Sequence, residues 1–241
     1  MDWPALRFHP RPRIEPVAVE GRVVCHVIDD ALVDPGAWRD FAVAQASAFR
    51  ESPGNAFTGS EMRLPDDALM PLGDVFNEHF RRAFDARRLE RLYARLSIVD
   101  RPPASLKPTQ WQAHVDRLDI GPGETIAASV LYLFEDESLG GTAFYRPRRP
   151  AAETVAMIQD AATMAPEAFA ARHGVAPGYQ TASNAWFEKV ASVPARWNRL
   201  IVYPGTIFHS GEITRPEALD PHPSRGRLTL NAFFSCRRRA A

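Results

Sequence analysis

Two histidines and one aspartate have the residue types and spacing most suited to chemistry. His114 and Asp116 are separated by a single residue, and His209 follows in the last third of the chain. Two imidazoles and one carboxylate can bind a divalent metal on one face and leave three positions open, which suits Fe(II). The sequence therefore predicts that His114, Asp116 and His209 form a metal site.

A β-strand would bring the first two ligands together. Side chains two residues apart point to the same face of a strand. If residues 109–116 form a strand, Gln110, Gln112, His114 and Asp116 share one face. Asp119 is an alternative carboxylate, but its spacing takes it off that face.

A strand near the C-terminus supplies a candidate anion-binding residue. In residues 227–235, Arg227, Thr229, Asn231 and Phe233 alternate with apolar residues. The planar guanidinium of arginine binds a carboxylate through two parallel hydrogen bonds. We therefore expect Arg227 to bind an anion inside the fold, and the nearby Arg225 is the rival for this role.

Composition excludes several classes of protein. The chain has 241 residues with 29 basic and 29 acidic side chains, so a formal net charge of zero provides no general attraction to nucleic acid or to an anionic membrane. The apolar run 126–134 is too short to span a bilayer, and the N-terminus lacks a signal-peptide pattern. Cys25 and Cys236 form no metal-binding pair and are expected to be buried thiols. A cytoplasmic protein is predicted.

The N-terminal third indicates helices and little sheet. Residues 1–20 are expected to form an extended surface arm, followed by a strand at residues 23–28. Asp34 before Pro35 predicts a capped helix start. A second helix is expected over residues 66–84, because apolar residues recur there with helical spacing.

The remaining sequence is dominated by β patterns. A helical insertion is predicted at residues 151–172, broken at Pro166 and ending at Gly174. Helices followed by many strands indicate an α+β fold, with a β-sandwich or jelly roll, in one domain of residues 1–241. The predicted strands are 91–99, 109–116, 126–134, 141–147, 198–204, 206–210 and 227–235.

The ordered set of motifs resembles the Fe(II)/2-oxoglutarate-dependent dioxygenases, and within them the prolyl-hydroxylase-like branch. The set comprises His114-x-Asp116, Tyr132-Leu133, the segment 140–144 (Gly-Gly-Thr-Ala-Phe), His209 and Arg227 with an aromatic residue six positions later. The resemblance covers residues 90–236, and residues 1–89 match only loosely as supporting helices.

This resemblance implies a double-stranded β-helix, or cupin-like jelly roll, with Fe(II) and 2-oxoglutarate as cofactor and cosubstrate. His114, Asp116 and His209 would bind the iron, whereas Arg227 and Tyr132 would bind the distal (C5) carboxylate of 2-oxoglutarate. The implied reaction is hydroxylation of a small molecule or a peptide side chain. The spacing from His209 to Arg227 is longer than is usual in the family, so Arg225 remains open.

Two other functions remain compatible with the sequence. One is a cupin-like metal-binding sensor or binding module without oxygenase activity, and the other is a cupin-type enzyme that uses zinc or manganese. The insertion at residues 148–197 is expected to shape the opening for the substrate, although its composition does not identify one. The sequence does not predict an oligomeric state.

Overall fold

Two antiparallel sheets form the framework of the protein. The computed structural model describes residues 2–51, 57–116 and 120–239. Within these ranges eleven strands form one sheet of eight and one of three, with every pairing antiparallel. In spatial order, the large sheet contains β1 (Ile14–Val19), β2 (Arg22–Ile28), β9 (Leu200–Pro204), β6 (Glu124–Tyr132), β11 (Arg227–Arg238), β5 (Ala86–Val99), β4 (Gly59–Arg63) and β3 (Arg50–Glu51). The small sheet contains β10 (Phe208–Gly211), β7 (Thr142–Pro147) and β8 (Phe187–Val193).

The large sheet buries both of its faces. One face packs against the N-terminal helical segments, and Phe76 stacks on Phe234 of β11 with ring centroids 4.5 Å apart. The other face packs against the small sheet, where Tyr132 and Ile201 share a cluster with Phe144. Successive side chains of a strand in the large sheet therefore pack in two different apolar clusters, one on each face of the sheet.

Several local predictions are confirmed. Asp34 caps α1 (Pro35–Ala44), since its side chain accepts a hydrogen bond of 3.1 Å from the Ala37 amide. The insertion forms α3 (Ala151–Thr163) and α4 (Pro166–His173), so the chain breaks at Pro166 as expected. Gly174 ends α4 in the left-handed region, at φ 64°.

The helix predicted over residues 66–84 forms only in part, as three consecutive helical segments over residues 66–80 rather than one α-helix. A 3-10 turn at Asp66–Leu69 leads into the short helix α2 (Met70–Val75), and a π-helical turn follows at Phe76–Phe80. Pro71 lacks an amide donor and its ring would clash with the preceding turn, so it is tolerated only in the first turn of a helix. The α-helix therefore begins next to Pro71 rather than at residue 66.

The strand predicted at residues 109–116 is also wrong. Pro108–Gln110 form a 3-10 turn, and the following residues make only an isolated bridge at His114. The arm predicted at residues 1–20 instead contributes β1, which pairs with β2 at the edge of the large sheet. An edge strand tolerates Pro16 because its outer side forms no ladder.

Strands β3, β4 and β8 were not predicted from the sequence. Much of each is exposed or only half-buried, so the alternation that reveals a strand is weak. Both cysteines are buried free thiols, as predicted. None of the helices in the described part of the chain has the length and apolar character needed to cross a membrane.

Candidate metal centre

A backbone bridge between distant segments positions the two histidines. The His114 amide donates to the His209 carbonyl at 3.0 Å, and the His209 amide donates to the His114 carbonyl at 2.9 Å. Their rings lie side by side, with centroids 4.5 Å apart. The Asp116 amide donates to the Gly205 carbonyl at 2.9 Å, which fixes the carboxylate beside the same pair.

The three predicted ligands converge on one point. His114, Asp116 and His209 each offer one ligand atom, and these atoms lie within 4.8 Å of one another. The Nε2 atom of His209 is 3.7 Å from Oδ1 of Asp116. Its Nδ1 atom lies 2.9 Å from the Ile207 carbonyl oxygen and donates to it, which leaves Nε2 free to bind a metal.

Burial sets the charge states at this point. It lowers the pKa of His114 to about 3, assisted by the nearby charges of His209 and Arg95, so the imidazole stays neutral. Burial also raises the pKa of Asp116, while His209 and Arg95 oppose that change. Oδ2 of Asp116 is buried and has no hydrogen-bond partner among the described residues. A neutral imidazole and an unpaired carboxylate oxygen fit a bound divalent cation.

The cluster lies in a cavity of about 360 Å³ between the two sheets. Gln110, Gln112, His114 and Asp116 all line this cavity, although the strand expected to align them does not form. The four residues therefore reach one cavity without a strand, and Val115, which was predicted to lie on the opposite face, lines it as well.

Arg227 lines the same cavity and is almost fully buried. Its Nε atom donates to the Gly140 carbonyl and its Nη2 atom to the Gly141 carbonyl, both at 2.8 Å. The guanidinium carbon lies 5.7 Å from the ring centroids of both Tyr132 and Phe134. Among the described residues, Nη1 has no hydrogen-bond partner, so one edge of the guanidinium is available to a ligand.

Close backbone contacts require the glycine pair that binds Arg227. Gly140 has φ 93°, and a Cβ atom there would lie 2.1 Å from the Glu212 carbonyl oxygen. A Cβ atom on Gly141 would lie 2.0 Å from the Val193 carbonyl oxygen. Any side chain at either position would displace the carbonyls that hold Arg227.

The structure separates the other candidates for the anion site. Arg225 is exposed and pairs with Asp220 at 2.8 Å, outside the cavity lining. Tyr132 is fully buried and also lies outside the lining, because its hydroxyl hydrogen-bonds the Thr142 hydroxyl at 2.8 Å. Thr142 itself lines the cavity. Asp119, the alternative carboxylate, lies outside the described residues.

The insertion at residues 148–197 contributes two residues to the cavity lining. These are Tyr179 and Gln180, and Oε1 of Gln180 accepts a hydrogen bond of 2.8 Å from the Ala113 amide, next to His114. The Tyr145 hydroxyl donates to the Gln180 carbonyl at 2.9 Å. The first bond connects the insertion to the segment that carries His114 and Asp116, and the second connects it to β7.

Sequence reasoning missed Arg95 of β5, a second cation in the cavity lining. The alternation of β5 would have placed Arg95 on the face that also carries Tyr93 and Ser97, but the cavity that this face borders appears only after the two sheets pack together. No sequence signal identified Tyr179 or Gln180 individually.

Several solved structures resemble this chain remotely. HygX from Streptomyces hygroscopicus, solved with nickel and 2-oxoglutarate, is 11% identical with a TM-score of 0.49, covering 88% of this chain and 82% of its own. The non-heme alpha ketoglutarate dependent epimerase SnoN is 12% identical with a TM-score of 0.45, covering 89% and 80%. A prolyl hydroxylase from Trichoplax adhaerens, in complex with a hypoxia inducible factor peptide, is 9% identical with a TM-score of 0.45, covering 88% and 83%.

Sequence comparison assigns the chain to a family. No curated protein matches it. A family model matches residues 10–234, which is nearly the whole chain. The protein therefore belongs to DUF6445, a family of unknown function.

Proposed function

We propose that this protein is a non-haem Fe(II)- and 2-oxoglutarate-dependent oxygenase that hydroxylates a small molecule or a peptide side chain. The observation that carries the proposal is the cluster of His114, Asp116 and His209 in a cavity that a buried arginine, Arg227, also lines. We assign the two packed sheets to a double-stranded β-helix in a single domain of residues 1–241.

The three clustered side chains would hold the iron. Two neutral imidazole nitrogens and one carboxylate oxygen form a donor set that Fe(II) accepts. Iron together with 2-oxoglutarate would supply the activation of dioxygen and the oxidation of a substrate C–H bond. The Ile207 carbonyl fixes the His209 ring, and the Gly205 carbonyl fixes the backbone at Asp116.

Arg227 would bind the C5 carboxylate of 2-oxoglutarate. Its two bonds to glycine carbonyls hold the side chain in one orientation, and its free Nη1 edge provides donors for a carboxylate. Tyr132 would support this site in two ways, since its ring packs beside the guanidinium and its hydroxyl positions Thr142. The burial of Arg227 strengthens its attraction for an anion by removing competing water.

Conversion of 2-oxoglutarate to succinate is the direct test. Protein loaded with Fe(II) should form succinate when a panel of small molecules and peptides is supplied with dioxygen, and mass spectrometry should detect one added oxygen atom in the product. Asp116→Ala should abolish both signals. Absence of 2-oxoglutarate binding in the presence of Fe(II) would contradict the proposal and favour the metal-binding sensor or the zinc or manganese enzyme.

A further inference from the structure

The cavity contains a second arginine that the proposed cosubstrate does not require. Arg95 lines the cavity, and its side chain is 12% exposed. It forms an ion pair with Glu61, which is not among the lining residues. Glu61 therefore holds Arg95 from outside the cavity, and the guanidinium borders the cavity itself.

Arg95 and Arg227 occupy separate positions. In the pairing of β5 with β11, Arg95 lies opposite Asn231, whereas Arg227 lies opposite Val99. Four residues of an antiparallel strand span about 13 Å, which separates the two backbone positions. The two guanidinium groups also have different aromatic neighbours. Arg95 lies over the rings of Phe57 and Phe233, at 5.0 and 5.4 Å, whereas Arg227 lies beside Tyr132 and Phe134.

Arg95 shares the cavity lining with other residues that carry unpaired buried polar atoms. Its own Nε atom is buried without a hydrogen-bond partner among the described residues, and so are Oδ1 of Asn231, Oε1 of Gln112 and Oγ of Ser129. All four residues line the cavity. Buried polar groups in proteins are nearly always paired, so a cluster of unpaired ones marks a place where a polar ligand or water completes the bonding.

Arg95 is also close to the metal cluster. Arg95, His114 and Asp116 all line the same cavity of about 360 Å³. A group bound at Arg95 would thus hold the rest of a small molecule near the metal. The surrounding walls are aromatic, since Tyr93, Phe57 and Phe233 line the cavity beside it.

We propose that Arg95 binds a carboxylate of the substrate, and that the substrate is a small carboxylic acid with an apolar or aromatic body. Glu61 orients the guanidinium, the side of the guanidinium that borders the cavity donates to the carboxylate, and the aromatic rings pack against the apolar body. The cavity volume of about 360 Å³ suits a small molecule. The role as substrate site rests on the proposed oxygenase function, whereas carboxylate binding at Arg95 does not.

Phenylacetate and its uncharged analogue phenylacetamide are suitable probes. Calorimetry under anaerobic conditions, with protein saturated in Fe(II) and 2-oxoglutarate, should show phenylacetate binding at least ~10-fold more tightly, as expected for a charge-assisted contact. Arg95→Met should remove this preference, and Arg95→Lys should retain part of it. Arg63→Met is the matched control, because Arg63 lies opposite Arg95 on β4 but is exposed and pairs with Asp66.

The same titration on metal-free protein separates the two proposals. If iron and 2-oxoglutarate fail to bind, the proposed oxygenase function is contradicted. The carboxylate site is still supported if phenylacetate binds more tightly than phenylacetamide, and if this preference disappears in Arg95→Met and persists in Arg227→Met. Equal binding of acid and amide, no binding of either, or a preference that depends on Arg227 alone would overturn it. Circular dichroism verifies that each variant is folded, and Arg95→Lys preserves the charge if Arg95→Met does not fold.

Discussion

The two faces of β11 differ in the polarity of their side chains and in the contacts that those side chains make. Towards the helices, Leu228, Leu230, Ala232 and Phe234 are at most 3% exposed and pack in a continuous apolar core. Towards the small sheet, the strand presents Arg227, Thr229, Asn231 and Phe233. Oδ1 of Asn231 lacks a hydrogen-bond partner among the described residues.

This difference separates stability from function within a single strand. Burial of apolar area stabilises the fold by about 25 cal/mol per Å². A buried polar atom without a partner lowers stability. We therefore assign the apolar face to stability and the polar face to binding. Substitutions on the apolar face should lower the free energy of unfolding, whereas substitutions on the polar face should mainly weaken ligand binding.

The largest effect is expected from removal of the metal ligands. His114→Ala and His209→Ala should each abolish Fe(II) binding, because two ligands seldom retain a labile divalent ion. Anaerobic titration of the unmodified protein should give about one equivalent of Fe(II), as a single three-ligand site requires. His222→Ala, outside the cavity, is the control. Unchanged affinity in both ligand variants would exclude this metal site.

A change on the apolar face should have the next largest effect, and on stability alone. Leu230→Ala should lower the free energy of unfolding by about 2–5 kcal/mol, the usual result of opening a cavity in a core. Chemical denaturation measures the loss, while Fe(II) binding by the folded protein should be unchanged. Asn231→Ala on the opposite face should cost much less, and an equal loss would remove the distinction between the two faces.

Arg227→Met should weaken 2-oxoglutarate binding by about 10- to 100-fold, since a charged hydrogen-bonding partner is lost. Iron binding should remain. Arg225→Met is the matched control and should have no effect, because Arg225 is exposed and paired with Asp220. The reverse ranking in a calorimetric titration would identify Arg225 as the anchor.

The last prediction concerns the protonation of His114 in the metal-free protein at mildly acidic pH. Its pKa is lowered from 6.5 to about 3, so its imidazole nitrogens should keep their neutral NMR shifts from pH 7 to pH 5. The unfolded chain binds this proton near pH 6.5, whereas the folded protein does not until about pH 3. The stabilisation from neutral His114 is therefore present above pH 6.5 and is lost as the pH falls towards 3.

His114→Gln supplies the control for this titration. The variant should lose less stability over the same pH interval, because glutamine does not bind the proton that His114 takes up in the unfolded chain. An imidazole of His114 that titrates near pH 6.5 in the folded protein would show that the ring is hydrated.

The sequence by itself determined features that depend on neighbouring residues. The alternation of β11, the Asp34 cap of α1 and the break at Pro166 follow from side-chain period, capping and proline sterics, and all three are present in the structure. The three candidate ligands were also evident from residue type and spacing. Their convergence did not need the predicted strand, since one backbone bridge to His209 replaced it.

Tertiary structure decided the features that depend on distant segments. Arg227 rather than Arg225 borders the cavity because Gly140 and Gly141 pack tightly against the backbone at Glu212 and Val193 and offer their carbonyls there. The Tyr132 hydroxyl forms a hydrogen bond with Thr142 and does not line the cavity. Arg95 lines the cavity because the cavity forms between the two packed sheets. Local periodicity fixes the face on which a side chain lies, but the partner of that face is set by packing between elements far apart in the chain.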